Sequence, residues 1–209
     1  MTEPRVDGSL LWATETSEFD VVFKGETIGQ YRVELSPDAA TNVLTLRAVF
    51  EDANVRTDAT VRLHRETLRP LGSFKEIRAP QGTFQISGTY QEASIDLKAV
   101  TPRGPQEVSI PLVAPVFEND SLLTVIRAIA LAPGERLGIE VANLDNARTY
   151  FCWIERPAAG TPPSRRLLLT FETADSHEMT YSEEPPHALL RYDNRNILFV
   201  QRQFERSPA

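Results

Sequence analysis

The chain has 209 residues, with 22 Lys and Arg against 29 Asp and Glu and a formal net charge of -7. That length suits one domain able to bury a core without disulfides or metals. The acidic balance argues against nonspecific binding to nucleic acid or to an anionic membrane, and the single cysteine, Cys152, excludes an intramolecular disulfide. Lysine is scarce (Lys24, Lys75, Lys98), so positive charge is mostly arginine, whose planar fork suits carboxylate pairing across strands.

The N-terminal stretch MTEPRVDGSLLWATETSEF holds no apolar run long enough for a signal peptide or a membrane span. As written, this predicts a cytoplasmic protein without stable membrane insertion; a cell-envelope location would follow if a signal had been removed. Residues 1–17 read as an arm anchored by Leu10, Leu11 and Trp12, and residues 18–205 as the folded domain. Phe19 to Lys24 and Thr27 to Leu35 flank Gly25-Glu26, a compact hairpin signal. Asn42 to Phe50 and Val55 to His64 form the next pair. In the second of these Val55, Thr57, Ala59, Val61 and Leu63 point one way and charged residues the other, so one face is buried and one is wet. Thr67-Leu68-Arg69-Pro70 makes a corner. Ser73 to Arg78 and Thr83 to Tyr90 follow, with Phe84, Ile86, Gly88 and Tyr90 on one face. Ile95, Leu97 and Ala99, then Val108, Ile110 and Leu112, complete an antiparallel meander.

Phe117 to Gly134 is the one helix. Leu122, Val125, Ile126 and Ile129 fall at the spacing of a single helical face. Asn119, Asp120 or Ser121 supplies the cap, and Pro133-Gly134 the stop, which bounds the helix at about 119–131. Alternation then resumes at Leu137, Ile139 and Val141 and in Thr149 to Glu155. Pro157 to Ser164 is the most loop-like segment. Strands follow at Arg166 to Glu172, Glu178 to Ser182, Ala188 to Tyr192 and Ile197 to Gln203. The pattern predicts a mainly β fold, a single curved antiparallel sheet wrapped as a half-barrel around one central helix.

No phosphate loop, dinucleotide turn, nucleophile elbow or metalloprotease helix occurs, and no CxxC. The three histidines, His64, His177 and His187, are scattered and read as exposed, so neither a metal nor a cofactor is expected. Cys152 lies between Phe151 and Trp153 with little cationic support and reads as a buried strand thiol. Asp58 with Arg56, and Glu76 with Arg78, read as solvated surface pairs. Trp12, Tyr31, Phe74, Phe84, Tyr90, Phe151, Trp153 and Tyr181 are enough aromatics to line a packed core or an apolar cavity.

Several segments carry a resemblance when taken in order: FKGETIGQYRVEL, the corner TLRPLGSFKE, FENDSLLTVIRAIAL, and YSEEPPHALLRYD. Together they resemble an uncharacterised bacterial family of half-barrel domains, a domain of unknown function related in architecture to the lipoprotein carriers LolA and LolB. Asp120 to Leu123 matches the family's Asp-Ser-Leu-Leu-like helix start, and Tyr181 to Arg191 its late Tyr-Ser, Pro-His, Leu-Arg strand. The export signal of the envelope carriers and a glycine-centred turn before the cysteine strand are not visible. The resemblance implies an incomplete barrel whose concave face holds an apolar space partly closed by helix, as in carriers that bind acyl chains.

The resulting expectation is a non-enzymatic binding module holding a lipid or other apolar small molecule. Tyr31, Phe84, Tyr90, Leu122, Ile126, Trp153 and Tyr181 are its expected lining, with Arg127 or Arg191 orienting a carboxylate head. No residue is assigned a catalytic role. One alternative is an enzyme using His187, Glu184, Arg191 or Tyr181 around the late hairpin, residues 181–191. Another is an assembly protein that pairs through an exposed sheet edge.

Overall fold

The computed structural model describes residues 5–158, 164–172 and 175–208. The loop expected from Pro157 to Ser164 and the first residues of the arm therefore lie largely outside the described residues. Within them, fifteen strands form one sheet. The first eight are β1 (Ala13–Phe23), β2 (Glu26–Asp38), β3 (Val43–Asp52), β4 (Arg56–His64), β5 (Pro70–Ala79), β6 (Gly82–Tyr90), β7 (Ser94–Thr101) and β8 (Gly104–Pro111). The short β9 (Val116–Glu118) leads into the helix, and β10 (Arg136–Asn143) and β11 (Arg148–Glu155) follow it. The last four are β12 (Ser164–Phe171), β13 (Ser176–Ser182), β14 (Leu189–Asp193) and β15 (Ile197–Pro208). The lateral order runs β8 down to β1, then β15 down to β9, so chain-terminal strands β1 and β15 meet in the middle. All pairings are antiparallel except β9 with β10. The sheet curves without closing.

Local chemistry sets the turns. Between β1 and β2 the turn residues are Lys24 and Gly25, both at positive φ (51° and 86°), which matches the twist of a two-residue hairpin. The turn thus sits one residue earlier than the glycine-first reading places it. At the corner after β4, Leu68 carries φ 53° while remaining fully buried, and β5 begins at Pro70, as a residue without a ladder donor allows.

The helix is shorter than its apolar periodicity suggests. One α turn, α1 (Leu122–Val125), is flanked by 3-10 turns at Asn119–Ser121 and Ile126–Ala128, and Ile129 is already extended. Competing partners end it. The Ala128 carbonyl accepts from the Asp7 amide at 2.8 Å, and the Ala130 amide donates to the Arg5 carbonyl at 2.9 Å. Arg165 takes the carbonyls of Arg127 and Ile129 at 2.9 and 2.8 Å. Backbone groups that would extend the helix are bound by the arm and by β12 instead. At the other end the cap is Glu118, whose carboxylate accepts from the Ser121 amide at 3.1 Å.

Leu122, Val125, Ile126 and Ile129 are all buried, as their spacing requires. They pack against inward residues of β1 to β4 and β10 to β13, including Phe19, Leu46, Val61, Ile154 and Leu169. A second apolar cluster joins Ile86, Ile95, Leu97 and Ile110 on β6 to β8 with Val116, Ala142 and Leu144. The β9 end of the sheet therefore lies over the inner face of the opposite end, so the curve overlaps itself instead of closing by hydrogen bonds. A Cβ at Gly88 would stand 2.7 Å from Leu144 Cδ1, so a side chain here would push the end of Leu144 aside where the overlap packs.

The outer face carries an arginine–carboxylate ladder. Arg47 pairs with Asp58 at 2.9 and 2.5 Å and approaches Glu34 at 3.6 Å, while Arg32 meets Glu34 at 2.7 Å and Glu18 at 3.5 Å. Arg56 pairs with Glu51 on β3 instead of Asp58 on its own strand. These exposed pairs orient β1 to β4 and contribute little each.

Candidate functional site

On the inner face, seven neighbouring strands each contribute one ring, in sheet order Tyr31, Phe19, Phe199, Tyr192, His177, Phe171 and Tyr150. Ring centres stand 6.0 Å apart for Phe19–Tyr31, 4.9 Å for Tyr31–Phe199 and 5.3 Å for Phe199–Tyr192. The series continues at 5.5 Å for Tyr192–His177, 4.5 Å for His177–Phe171 and 5.4 Å for Phe171–Tyr150. All are tilted or edge-on, the arrangement aromatic quadrupoles prefer. Phe19 is fully buried; the other six are half-buried, and Tyr31, Phe199, Tyr192, Phe171 and Tyr150 pack against the main core. Beyond Tyr31 the row continues through the cross-strand neighbours Phe50, Thr57, Ile77 and Phe84, all half-buried.

Polar contacts fix the arc. Tyr150 donates its hydroxyl to Asn119 Oδ1 at 2.6 Å, tying the arc to the start of the helix. The Tyr192 hydroxyl and His177 Nδ1 are 2.7 Å apart. Burial lowers the affinity of His177 for a proton, and it pushes the Tyr192 phenol up to about 12. Both groups are thereby held neutral near pH 7.

Beside the arc lies a charged floor. Lys75 points inward from β5 and bonds Asp120 at 3.0 Å and Asp145 at 2.7 Å. Burial pulls the Lys75 pKa down, but the two carboxylates outweigh it and the net shift is upward. Glu118 is 1% exposed; burial first, and then the charge of Asp120, raises its pKa well above the usual carboxylate range. The Tyr31 and Tyr150 phenols are raised mainly by burial and further by Asp120 and Glu118, which puts those acids within electrostatic reach of the arc.

The residues expected to line the site are dispersed. Tyr31 belongs to the arc, and Phe84 lies on the continuing row. Tyr90 sits at the overlap with the second cluster, its hydroxyl buried without a hydrogen-bond partner. Leu122 and Ile126 are sealed in the core, and Tyr181 is fully buried with its hydroxyl donating to the Leu123 carbonyl at 2.8 Å. Trp153 is on the outer face, 37% exposed, under the Arg136 guanidinium at 4.3 Å. Arg127 is buried beside Phe19 and Tyr31 but bound to Glu15, and Arg191 is exposed and paired with Asp193 at 2.8 Å. Phe74, also expected inside, is 45% exposed on the outer face.

The late-hairpin groups Tyr181, Glu184, His187 and Arg191 do not converge, since Tyr181 faces the core while Arg191 and Glu184 are exposed. His177 and His187 are half-buried, contrary to the expectation of exposure, because inward strand positions and the turn after β13 enclose them. Cys152 is fully buried, and its thiol is pushed up to about 12 by burial. Among the described residues no three His, Cys, Asp or Glu side chains gather as a metal site would require, and no helix is long and apolar enough to cross a membrane.

The space between the helix and strands β1 and β2 is a cavity of about 20 Å³ bounded by Phe19, Tyr31, Leu123 and Arg127, room for a single water. The helix fills this part of the curve, and half-buried apolar surface is left at the arc.

With that geometry in view, the chain superposes on a crystal structure of a β-barrel-like protein of domain of unknown function DUF1849 from Brucella abortus, with TM-score 0.62 and 7% identity. The match covers 93% of this chain and 98% of that one. The fold is that of an uncharacterised β-barrel-like domain. A DUF1089 family protein from Pseudomonas aeruginosa aligns at TM-score 0.45 and 11% identity, over 82% of this chain and 87% of that one. No protein-family model and no curated protein matches the sequence.

The inner positions of Phe171, His177, Tyr192 and Phe199 were not singled out by sequence reasoning. The usable signal was period-two alternation, as in Leu167, Leu169 and Phe171 or His177, Met179 and Tyr181, extended to the end of each strand.

Proposed function

We propose that this domain is a non-enzymatic binding module that holds an apolar small molecule or acyl chain against the aromatic arc. The observation that carries the reading is the arc itself, seven contiguous rings on one concave face, six of them left partly uncovered. Uncovered apolar surface forfeits about 25 cal/mol per Å², and a contiguous row of such rings, unlike scattered ones, is a surface that a ligand can cover. A ligand covering about 200 Å² of it would gain about 5 kcal/mol before the cost of its own ordering. Recognition is then by shape and apolar contact, with the Tyr150 and Tyr192 hydroxyls held by Asn119 and His177. Arg127 and Arg191 take no part, the first because Glu15 holds it and the second because it faces outward.

The test is native mass spectrometry of protein purified without detergent, followed by denaturation and analysis of what is released. The expected result is a reproducible co-purified apolar molecule, or uptake of one from a lipid and metabolite extract. A clean apo mass that stays clean in the extract would overturn the reading.

A further inference from the structure

At the opposite end of the helix from Asn119, a pocket of about 640 Å³ opens between the N-terminal arm, the segment after the helix, Arg156 just beyond β11, and strand β12. Its lining includes Arg5, Arg156, Arg165 and His187, a concentration of basic groups in a chain whose net charge is -7. Arg165 is 6% exposed. Its two terminal nitrogens donate to the Arg127 and Ile129 carbonyls at 2.9 and 2.8 Å, and its buried Nε has no partner. Arg156 donates to the Leu131 carbonyl at 3.1 Å, and its nearest carboxylate, Glu183, is 3.9 Å away, beyond hydrogen-bond reach. Both guanidiniums are thus fastened to neutral backbone oxygens along one short stretch of chain. Among the described residues neither donates to a carboxylate.

The two acids of the pocket, Asp7 and Glu135, bond neutral groups and not the guanidiniums of Arg156 or Arg165. Asp7 accepts from the Ser9 amide and hydroxyl, and Glu135 accepts from the Ala132 amide at 2.7 Å. Burial first, and then the neighbouring Arg156 charge, press the Arg165 pKa downward, and the pull of Glu183 in the other direction does not offset them. Elsewhere the fold neutralises its inward charges: Arg127 is matched by Glu15, and Lys75 by Asp120 and Asp145. A buried guanidinium bound only to carbonyls is the exception.

We infer that this pocket is an oxyanion site, in which Arg156 and Arg165 receive a phosphate or carboxylate group through their remaining N–H edges, with Arg5 and His187 on its wall. Arginine forks suit such groups because two parallel charge-assisted bonds form at once. The site is remote from the arc and does not depend on what the arc binds.

The test uses the full chain and inorganic phosphate as probe, following the side-chain Nε–H resonances of Arg156 and Arg165 by NMR. The expected result is saturable displacement of both signals, with affinity about tenfold weaker in Arg156→Gln, the loss of one charge-assisted contact. Arg32→Gln, in the outer ladder, should bind like wild type. Arg165→Gln risks unfolding the helix end, so Arg156→Gln, whose side chain is 27% exposed, carries the decision, with its urea midpoint as the folding control. Competition by glycerol phosphate would identify a soluble phosphate ester, competition by acetate a carboxylate, and competition only by vesicles of phosphatidylglycerol a lipid headgroup. Displacement that never saturates, or equal affinity in Arg156→Gln, would overturn the inference.

Discussion

Replacing Arg127 by Met should destabilise the domain by about 3 kcal/mol, the low end of the cost of breaking a buried ion pair from one side. Arg127 and Glu15 are each 4% exposed, so removing the cation strands a carboxylate that water cannot reach. The low end applies because Arg206 Nε stays 3.2 Å from the other Glu15 oxygen. The contact from Arg165 is to the Arg127 carbonyl, which survives the substitution. With an m-value of about 2 kcal/mol/M, the urea midpoint should fall by about 1.5 M at unchanged slope. Adding Glu15→Leu removes the stranded charge, and the double variant should recover most of the loss, since replacing both partners by apolar groups is often close to neutral. The double-mutant cycle then returns a coupling energy of comparable size. A single-variant cost below about 1 kcal/mol, or a double variant no better than the single, would refute the assignment of this pair as sealed and mutually dependent.

Glu118→Gln should stabilise the domain increasingly as pH rises. The folded pKa of Glu118 lies above its unfolded value, so the unfolded chain releases the proton first and native stability falls through that window. Glutamine keeps the acceptor for the Ser121 amide without the charge; urea midpoints that track wild type from acid to neutral pH would contradict this. Gly88→Val should cost about 1–3 kcal/mol by overpacking against Leu144, read as a lowered Tm. Cys152 should resist alkylation in the native state and react fully in urea, as intact mass would show, because its thiol is buried and held protonated. His177 should titrate below the usual histidine value, making the native state more stable as pH rises through that window, and NMR of its ring carbons would report the midpoint.

Much of this architecture is legible in the chain, and the remainder follows from what alternation leaves open. Strand β4 reads directly, since Ala59, Val61 and Leu63 alternate with charge and are buried as that pattern requires. The helix shows its apolar face but not its end, because the arm and Arg165 compete for carbonyls from distant positions. Strand β9, three residues that run straight into the helical turn, offers no periodicity to detect. Trp153 and Phe74 were expected inside on hydrophobicity alone, although Cys152 and Ile154 occupy the inward positions of β11 and Lys75 that of β5. The arc depends on lateral order across seven strands, and the pairing of β1 with β15 joins the two ends of the chain, which local pattern cannot reveal.

The central claim, that the arc is the ligand-binding surface, is tested most directly by aromatic side-chain NMR during titration with the apolar molecule released from the purified protein, or failing one, with a lipid extract. The account predicts that ring signals of Tyr31, Tyr192 and Phe199 shift together and saturate while Trp153, on the outer face, stays still. Unmoved arc signals, or a shift confined to Trp153, would contradict it.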